Sequence, residues 1–147
     1  MPIRVLLADD SDIMRKAILG TLAEDPRIEV LGEALTFEQT IQLANSLRPD
    51  VLLMDLHMND EHAYPPELVR AKISAATPCV LAISVWNDDK AKALAKRFGA
   101  KTLLDKATLY TTLLPAIEKS CGIKHRKPPL SFSKAAGQSV SPRKLLP

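Results

Sequence analysis

Two adjacent carboxylates, Asp9 and Asp10, follow an apolar run near the start of the chain, in the stretch VLLADDSDIMRK. Adjacent like charges repel, so keeping both ionised costs free energy unless a positive charge lies nearby. Three more polar residues follow later apolar runs: Asp55 comes after DVLLM, Ser84 ends CVLAIS and Lys106 comes after KTLLD. Carboxylates, a hydroxyl and an ammonium are the groups that bind a cation and a phosphoryl group.

The apolar runs before these residues have the pattern of buried parallel strands. They span residues 3–8, 28–34, 50–54, 79–84 and 101–105, and several are nearly continuous rather than alternating. After each run, apolar residues recur at spacings of three and four, which predicts an amphipathic helix. Five strands alternating with five helices predict an α/β fold with a doubly wound five-stranded parallel sheet.

Local signals set the predicted limits of the helices. Ser11 is a good N-cap for the first helix, Pro26 follows its end, and Gly99 follows the fourth helix as a C-cap would. Pro115 lies within the apolar pattern of the last helix and lacks the N–H that a helix interior needs. We therefore expect the last helix to start near Thr112 or to kink.

The predicted sheet brings the polar residues together, because ligands of such folds bind beyond the carboxyl ends of the strands. Three carboxylates in one pocket would be strongly unfavourable without a cation. Oxygen ligands and the need for open coordination positions indicate Mg²⁺, which keeps waters and recruits phosphate oxygens. Asp9 and Asp10 are then a metal cradle, and Asp55 is the nucleophile. Lys106 and Ser84 supply a positive charge and a hydrogen-bond donor to the arriving phosphoryl group.

Composition restricts the setting of this chemistry. The chain has 147 residues, no apolar run near the ~20 residues that span a bilayer, and no signal-peptide pattern at its start, so we expect a cytoplasmic protein. Its two cysteines, Cys79 and Cys121, fit reduced structural thiols better than a disulfide scaffold.

Charge is divided unevenly along the chain. Residues 1–121 carry 14 Lys and Arg against all 17 Asp and Glu, whereas residues 122–147 carry six Lys and Arg and no acid. The second segment has four prolines and neither helical nor strand periodicity. We predict one acidic domain over residues 1–121 and a basic, Pro-containing, mostly disordered tail over residues 122–147.

Four motifs in order make residues 3–121 resemble the receiver domain of two-component response regulators: LLADDSDIMRK, PDVLLMDLHM, AIS and LLDKATL. The first third looks most like receivers that are usually joined to LuxR-type DNA-binding domains. The resemblance implies a flavodoxin-like fold and phosphorylation of Asp55 by a histidine kinase or phosphotransfer protein. It also implies direct Mg²⁺ contacts from Asp10 and Asp55, a contact through water from Asp9, and a further ligand in the main-chain carbonyl of His57. Ser84 and Lys106 would contact the phosphoryl oxygens.

This chain departs from the family pattern in two places. After Asp55 the family usually has Met-Pro and then an Asp-Gly turn, but here MNDEHAYPPEL has Asn59, no glycine and two extra residues. Three residues before Lys106 the family often has an aromatic that turns inward on phosphorylation, and here Leu103 takes that place. His57 and His62 could suggest a metal site, but their irregular spacing without a nearby cysteine favours solvated loop histidines.

Trp86 and His57 lie two residues beyond Ser84 and Asp55 respectively. In receivers these two positions flank the path by which water reaches the acyl phosphate, so a bulky indole there should slow hydrolysis. The alternative is that Trp86 only packs beside the start of the fourth helix, and an amphipathic ring suits either place.

The tail determines which outputs we expect. Twenty-six residues with several prolines are too few to form a helix-turn-helix domain, so we expect no specific DNA binding. The first hypothesis is a stand-alone receiver: a phosphorelay shuttle, a phosphate sink, or a switch of protein–protein interactions with an unknown downstream protein. Homodimer formation is left open. The second is a nucleic-acid or membrane-surface binder that acts through the basic tail. We expect no turnover of an external substrate; a dehalogenase-type phosphatase would need Asp-x-Asp where this chain has an adjacent pair.

Overall fold

The computed structural model describes residues 2–120, which form five strands and five α-helices in strict alternation. The strands are β1 (Ile3–Ala8), β2 (Ile28–Ala34), β3 (Val51–Asp55), β4 (Cys79–Ser84) and β5 (Thr102–Asp105). The helices are α1 (Asp12–Leu22), α2 (Phe37–Leu47), α3 (Pro66–Ile73), α4 (Asp89–Arg97) and α5 (Leu109–Ser120). Single 3₁₀ turns at Glu61–Ala63 and Lys106–Thr108 complete the chain's regular structure over these residues.

All five strands pair in parallel in the order β2-β1-β3-β4-β5, which confirms the predicted doubly wound sheet. The observed strands begin and end within one residue of the predicted runs. The winding reverses between β1 and β3, and in open α/β sheets ligands bind in the crevice at such a point.

Both faces of the sheet are covered, which explains the nearly continuous apolar runs. Along β1, Ile3, Val5 and Leu7 belong to one buried cluster, with residues of α1 and α5. Leu6 and Ala8 belong to the cluster on the other face, with residues of α2, α3 and α4. The alternation of faces at successive residues is the period of two that a strand imposes.

Capping interactions place the start of α1 and the end of α4 at the predicted residues. The Ser11 hydroxyl accepts a hydrogen bond from the Met14 N–H at 3.2 Å and so caps α1. After α4, Gly99 has φ +82°, its N–H donates to Lys96 O at 2.9 Å, and the Ala100 N–H donates to Ala95 O at 3.0 Å. This pair of bonds is a Schellman motif, and the left-handed φ is the conformation that favours glycine.

Of the two alternatives for the last helix, a start near Thr112 is wrong, since α5 begins at Leu109 and contains Pro115. A kink at Pro115 stays a prediction. Leu109, Leu113 and Ile117 are buried on one face of α5. Burial of this face, which includes the turn before Thr112, outweighs the hydrogen bond that Pro115 cannot make.

Cys79 is disulfide-bonded, so the expectation of a reduced thiol at the start of β4 is wrong. The expectation rested on the small number of cysteines. That number argues against a disulfide-rich class of protein but does not show whether a given cysteine is paired. Cys121, the chain's other cysteine, lies outside the described residues.

The predicted basic tail of residues 122–147 also lies outside the described residues. Its disorder, the domain boundary at residue 121 and the nucleic-acid or membrane alternative that depends on the tail stay predictions. Between residues 2 and 120, no helix has both the length and the apolar character needed to cross a bilayer.

Candidate functional site

Asp9, Asp10 and Asp55 meet at the carboxyl ends of β1 and β3. One carboxylate oxygen from each residue can be chosen so that all three lie within 4.8 Å of one another. Asp9 is 0% and Asp55 is 6% exposed, whereas Asp10 is partly exposed at the mouth of the cluster. The structure therefore brings together the three carboxylates that the sequence placed at strand ends.

Lys106 supplies the positive charge nearest to these carboxylates. Its Nζ donates a hydrogen bond to Asp55 Oδ2 at 3.0 Å and lies 2.9 Å from Asp9 Oδ2. The side chain of Lys106 is only 13% exposed, because the 3₁₀ turn after β5 directs it across the end of the sheet. One ammonium thus faces three carboxylates and can neutralise only one of them when all are ionised. The pocket therefore keeps a net negative charge.

The pKa values of Asp55 and Lys106 report this environment. Burial raises the pKa of Asp55 above its ordinary value, and the attraction and hydrogen bond of Lys106 do not fully offset it; the negative charge of Asp9 adds to the rise. Burial opposes the charge of Lys106, but its contacts with Asp9 and Asp55 outweigh that effect and raise the pKa of Lys106. The pocket therefore stabilises the charged form of Lys106. Binding of a further cation in the same pocket would be favourable.

Asp9 is held in a fixed orientation by the chain around it. Its N–H donates to Ala34 O at 3.0 Å, and its Oδ1 accepts a hydrogen bond from the Ser11 N–H at 2.8 Å. Its buried Oδ2 lies near Lys106 but accepts no hydrogen bond of acceptable geometry from any residue between 2 and 120. A buried carboxylate oxygen whose polar neighbour is the Lys106 ammonium, beside two more carboxylates, fits a hard divalent cation such as Mg²⁺.

The loop after β3 begins at the Asp55 carboxylate. Asp55 Oδ1 accepts a hydrogen bond from the His57 N–H at 3.2 Å. Further along, Asp60 accepts hydrogen bonds from the Phe37 N–H at 2.9 Å and the Glu38 N–H at 3.0 Å. Asp60 therefore caps α2 and anchors a loop that lacks the family's usual Pro and Gly, a contact that no local sequence signal identifies.

Ser84 is 1% exposed at the end of β4. Its Oγ accepts a hydrogen bond from the Trp86 N–H at 3.0 Å, which leaves the hydroxyl hydrogen free to be donated. The structure brings the carboxylates of Asp9, Asp10 and Asp55 within 4.8 Å of one another and places Lys106 in contact with two of them. Ser84 lies at the end of the neighbouring strand β4.

The rings of His57 and Trp86 pack edge to face with centroids 5.4 Å apart. His57 Nδ1 also lies 3.0 Å from Glu61 Oε1, and both His57 and His62 are exposed, as predicted for loop histidines. Trp86 is 57% exposed and borders a groove of about 450 Å³ along the first turns of α4. Trp86 thus contacts the loop that follows Asp55 and also lies beside α4; its effect on hydrolysis stays a prediction.

Sequence reasoning missed Arg15, which lies behind the acidic pair. Its Nη1 donates a hydrogen bond to the main-chain carbonyl of Asp9 at 2.8 Å, and its Nε donates to Glu33 Oε1 at 3.1 Å. Its Nη2 pairs with Asp12. Only the spacing of Asp12 and Arg15, one turn apart on a helix, could have been read from the sequence.

With this geometry established, comparison with known proteins identifies the family. The sequence signature of the response regulator receiver domain matches residues 5–118. The chain belongs to this family. The signal receiver domain of the response regulator NarL from Mycobacterium tuberculosis has the same fold, with a TM-score of 0.72 at 25% identity over 82% of this chain and 97% of that one.

Relatives of this receiver domain have names that describe different activities. A protein-glutamate methylesterase/protein-glutamine glutaminase of Anaeromyxobacter dehalogenans (strain 2CP-C) is 38% identical over 76% of this chain and 32% of its own length. The transcriptional regulatory protein LiaR of Bacillus subtilis (strain 168) is 31% identical over 95% of this chain and 64% of its own length. The receiver domain thus spans about a third of the first relative and less than two thirds of the second.

Proposed function

We propose that this receiver domain accepts a phosphoryl group on Asp55, in a Mg²⁺-dependent reaction, and thereby switches its interactions with other proteins. The observation that carries the proposal is the position of Asp55, which shares one buried pocket with two more carboxylates and a lysine. A buried carboxylate hydrogen bonded to an ammonium can act as a nucleophile towards phosphorus, and the ammonium can then bind the phosphoryl oxygens.

The transfer step needs only the donor and the Asp55 carboxylate. A carboxylate oxygen of Asp55 forms a P–O bond while the P–N bond of a donor phosphohistidine breaks, and the imidazole nitrogen leaves with the electron pair. Lys106, already 3.0 Å from Asp55 Oδ2, balances the negative charge that the phosphoryl group brings. Ser84 would donate its hydroxyl hydrogen to a phosphoryl oxygen after moving from the end of β4.

Asp10 and Asp55 would hold the Mg²⁺ directly, Asp9 would act through a water, and the main-chain carbonyl of His57 would add a ligand. When bound, the cation neutralises charge on the transferring phosphoryl group. Before transfer, the chain's own residues keep the carboxylates oriented: Ser11 fixes Asp9, and the His57 N–H holds Asp55 Oδ1.

A histidine kinase or phosphotransfer protein is the donor we propose, and an unidentified protein is the receiver of the signal. We place this exchange in the cytoplasm, without specific DNA binding by residues 1–147 and without turnover of an external substrate. The methylesterase activity named for the Anaeromyxobacter relative belongs to a protein of which this chain covers 32%.

Capture of partners with and without beryllium fluoride, which mimics the phosphoryl group, tests the output. Identical captured proteins in the two conditions would contradict the proposed switch.

Phosphorylation itself is tested with acetyl phosphate, a donor that needs no partner protein. We expect one acid-labile phosphoryl group per chain in the presence of Mg²⁺ and none in excess chelator. The Asp55→Asn variant should not be labelled, whereas the matched variant Asp89→Asn, in the exposed first turn of α4, should react as the wild type does. Equal labelling of Asp55→Asn and wild type would overturn the proposed acceptor.

A further inference from the structure

Arg15 is the one guanidinium between residues 2 and 120 that holds the backbone of the acidic pair. It lies in the second turn of α1, and its side chain is only 11% exposed. All three of its nitrogens have partners: Nη1 meets the Asp9 carbonyl at 2.8 Å, Nε meets Glu33 at 3.1 Å, and Nη2 meets Asp12. One side chain therefore ties the end of β1 to the end of β2 and to the start of α1.

These contacts complete the anchoring of Asp9. Its N–H is bound to Ala34 O, its Oδ1 is bound to the Ser11 N–H, and its carbonyl is bound to Arg15. Asp9 Oδ2 is the oxygen of this residue that faces the pocket, where it lies 2.9 Å from Lys106 Nζ. Fixing the other three polar atoms presents that oxygen to the pocket and sets the peptide plane from which the Asp10 side chain leaves.

From this geometry we infer that Arg15 is a positioning residue for the metal site. The inference rests on the proposed function, since the site it positions is the proposed Mg²⁺ site. Arg15 contacts no carboxylate of the cluster; it holds the Asp9 carbonyl, and Glu33 and Asp12 in turn hold the guanidinium. Residues that orient metal ligands from behind typically change metal affinity by 10- to 100-fold when they are replaced.

Positioning and simple charge predict opposite effects. If Arg15 acted only as a positive charge near the pocket, its removal would reduce repulsion and strengthen Mg²⁺ binding. If Arg15 acts by holding the backbone, its removal frees the acidic pair and weakens Mg²⁺ binding. Lysine keeps the charge but offers one compact ammonium instead of a planar fork, so Arg15→Lys should also weaken binding.

The experiment measures the dissociation constant for Mg²⁺ from the Mg²⁺-dependent rise in melting temperature, with Trp86 fluorescence as a second signal. We expect a constant about tenfold higher for Arg15→Gln and for Arg15→Lys than for wild type. Glu33→Gln, which keeps Arg15 but removes one of its anchors, should shift the constant in the same direction by less. If the Arg15 variants do not fold, Glu33→Gln alone tests the positioning role.

Arg4→Gln is the matched control. Arg4 lies near the opposite end of β1, where its guanidinium donates to two main-chain carbonyls, Arg48 O at 2.7 Å and Leu47 O at 2.7 Å. Its replacement should lower thermal stability without changing the constant for Mg²⁺. An Arg15→Gln constant equal to or lower than that of wild type would overturn the positioning role alone. Absence of any Mg²⁺ response in wild type would overturn the proposed function with it.

Discussion

The rings of His57 and Trp86 meet edge to face with centroids 5.4 Å apart, and this contact joins the loop after β3 to the loop after β4. The first loop begins at Asp55, and the second begins at Ser84, whose Oγ accepts the Trp86 N–H. In a chain with Leu103 where an aromatic is usual, the contact offers a direct link between the loop that follows Asp55, the proposed acceptor, and the loop that follows Ser84.

Phosphate loss should be faster in Trp86→Ala than in wild type. The indole packs against His57, two residues beyond Asp55, so we expect it to obstruct water that approaches a phosphorylated Asp55 and alanine to admit that water. We expect an increase of at least about threefold, equivalent to ~0.7 kcal/mol in the barrier. The measurement follows label remaining after removal of donor, with Tyr110→Ala, an exposed aromatic on α5, as the control. Equal rates for wild type and Trp86→Ala would remove Trp86 from the mechanism.

The contribution of Asp55 to the stability of the metal-free protein should decrease as pH rises through the carboxylate range. Because the pKa of Asp55 is raised in the folded state, the folded protein binds more protons than the unfolded chain above the ordinary value of 3.8. Stability is then lost from about that pH up to the folded pKa, where Asp55 ionises in its pocket. Urea unfolding in chelator should show wild type losing stability relative to Asp55→Asn over this pH range; parallel profiles would contradict the burial effect.

Lys106→Met should destabilise the metal-free fold and strengthen its response to Mg²⁺. Removing the ammonium leaves buried carboxylates without their partner, at a cost of about 1–3 kcal/mol, below the value for fully buried pairs because Lys106 keeps some contact with solvent. Mg²⁺ should recover more stability in this variant than in wild type, since the competing cation is gone. A variant that Mg²⁺ stabilises less than wild type would show that Lys106 supports the cation instead of competing with it.

Asp60→Ala should cost about 1–2 kcal/mol in the free energy of unfolding, because it removes two hydrogen bonds to the first turn of α2 while the N-cap Thr36 keeps its bond to the Gln39 N–H. Asp60 accepts the first two N–H groups of α2, and alanine leaves both without that partner. Asn59→Ala changes the neighbouring exposed residue of the same loop and should have little effect. Equal stability of the two variants would mean that water replaces the Asp60 contacts without loss.

The elements and the acidic cluster were predictable from the sequence because their signals are local or follow from topology. Apolar runs mark the strands, and parallel strands bring their carboxyl ends to one edge, so Asp9, Asp10 and Asp55 had to meet. The contacts of Arg15 with Glu33 were not predictable, because they depend on how α1 lies over the sheet. At Pro115 the local signal misled, since burial of the α5 face decides where that helix begins.

The most direct test of the proposed function is the position of the phosphoryl group after reaction with acetyl phosphate and Mg²⁺. Borohydride reduces an aspartyl phosphate to homoserine, so peptide mass analysis reads the modified position from the chain itself. We expect homoserine at residue 55 and nowhere else between residues 2 and 120, with no conversion in chelator. Conversion at Asp9 or Asp10, or none at residue 55 in a protein that binds Mg²⁺, would contradict the assignment of Asp55 as the acceptor.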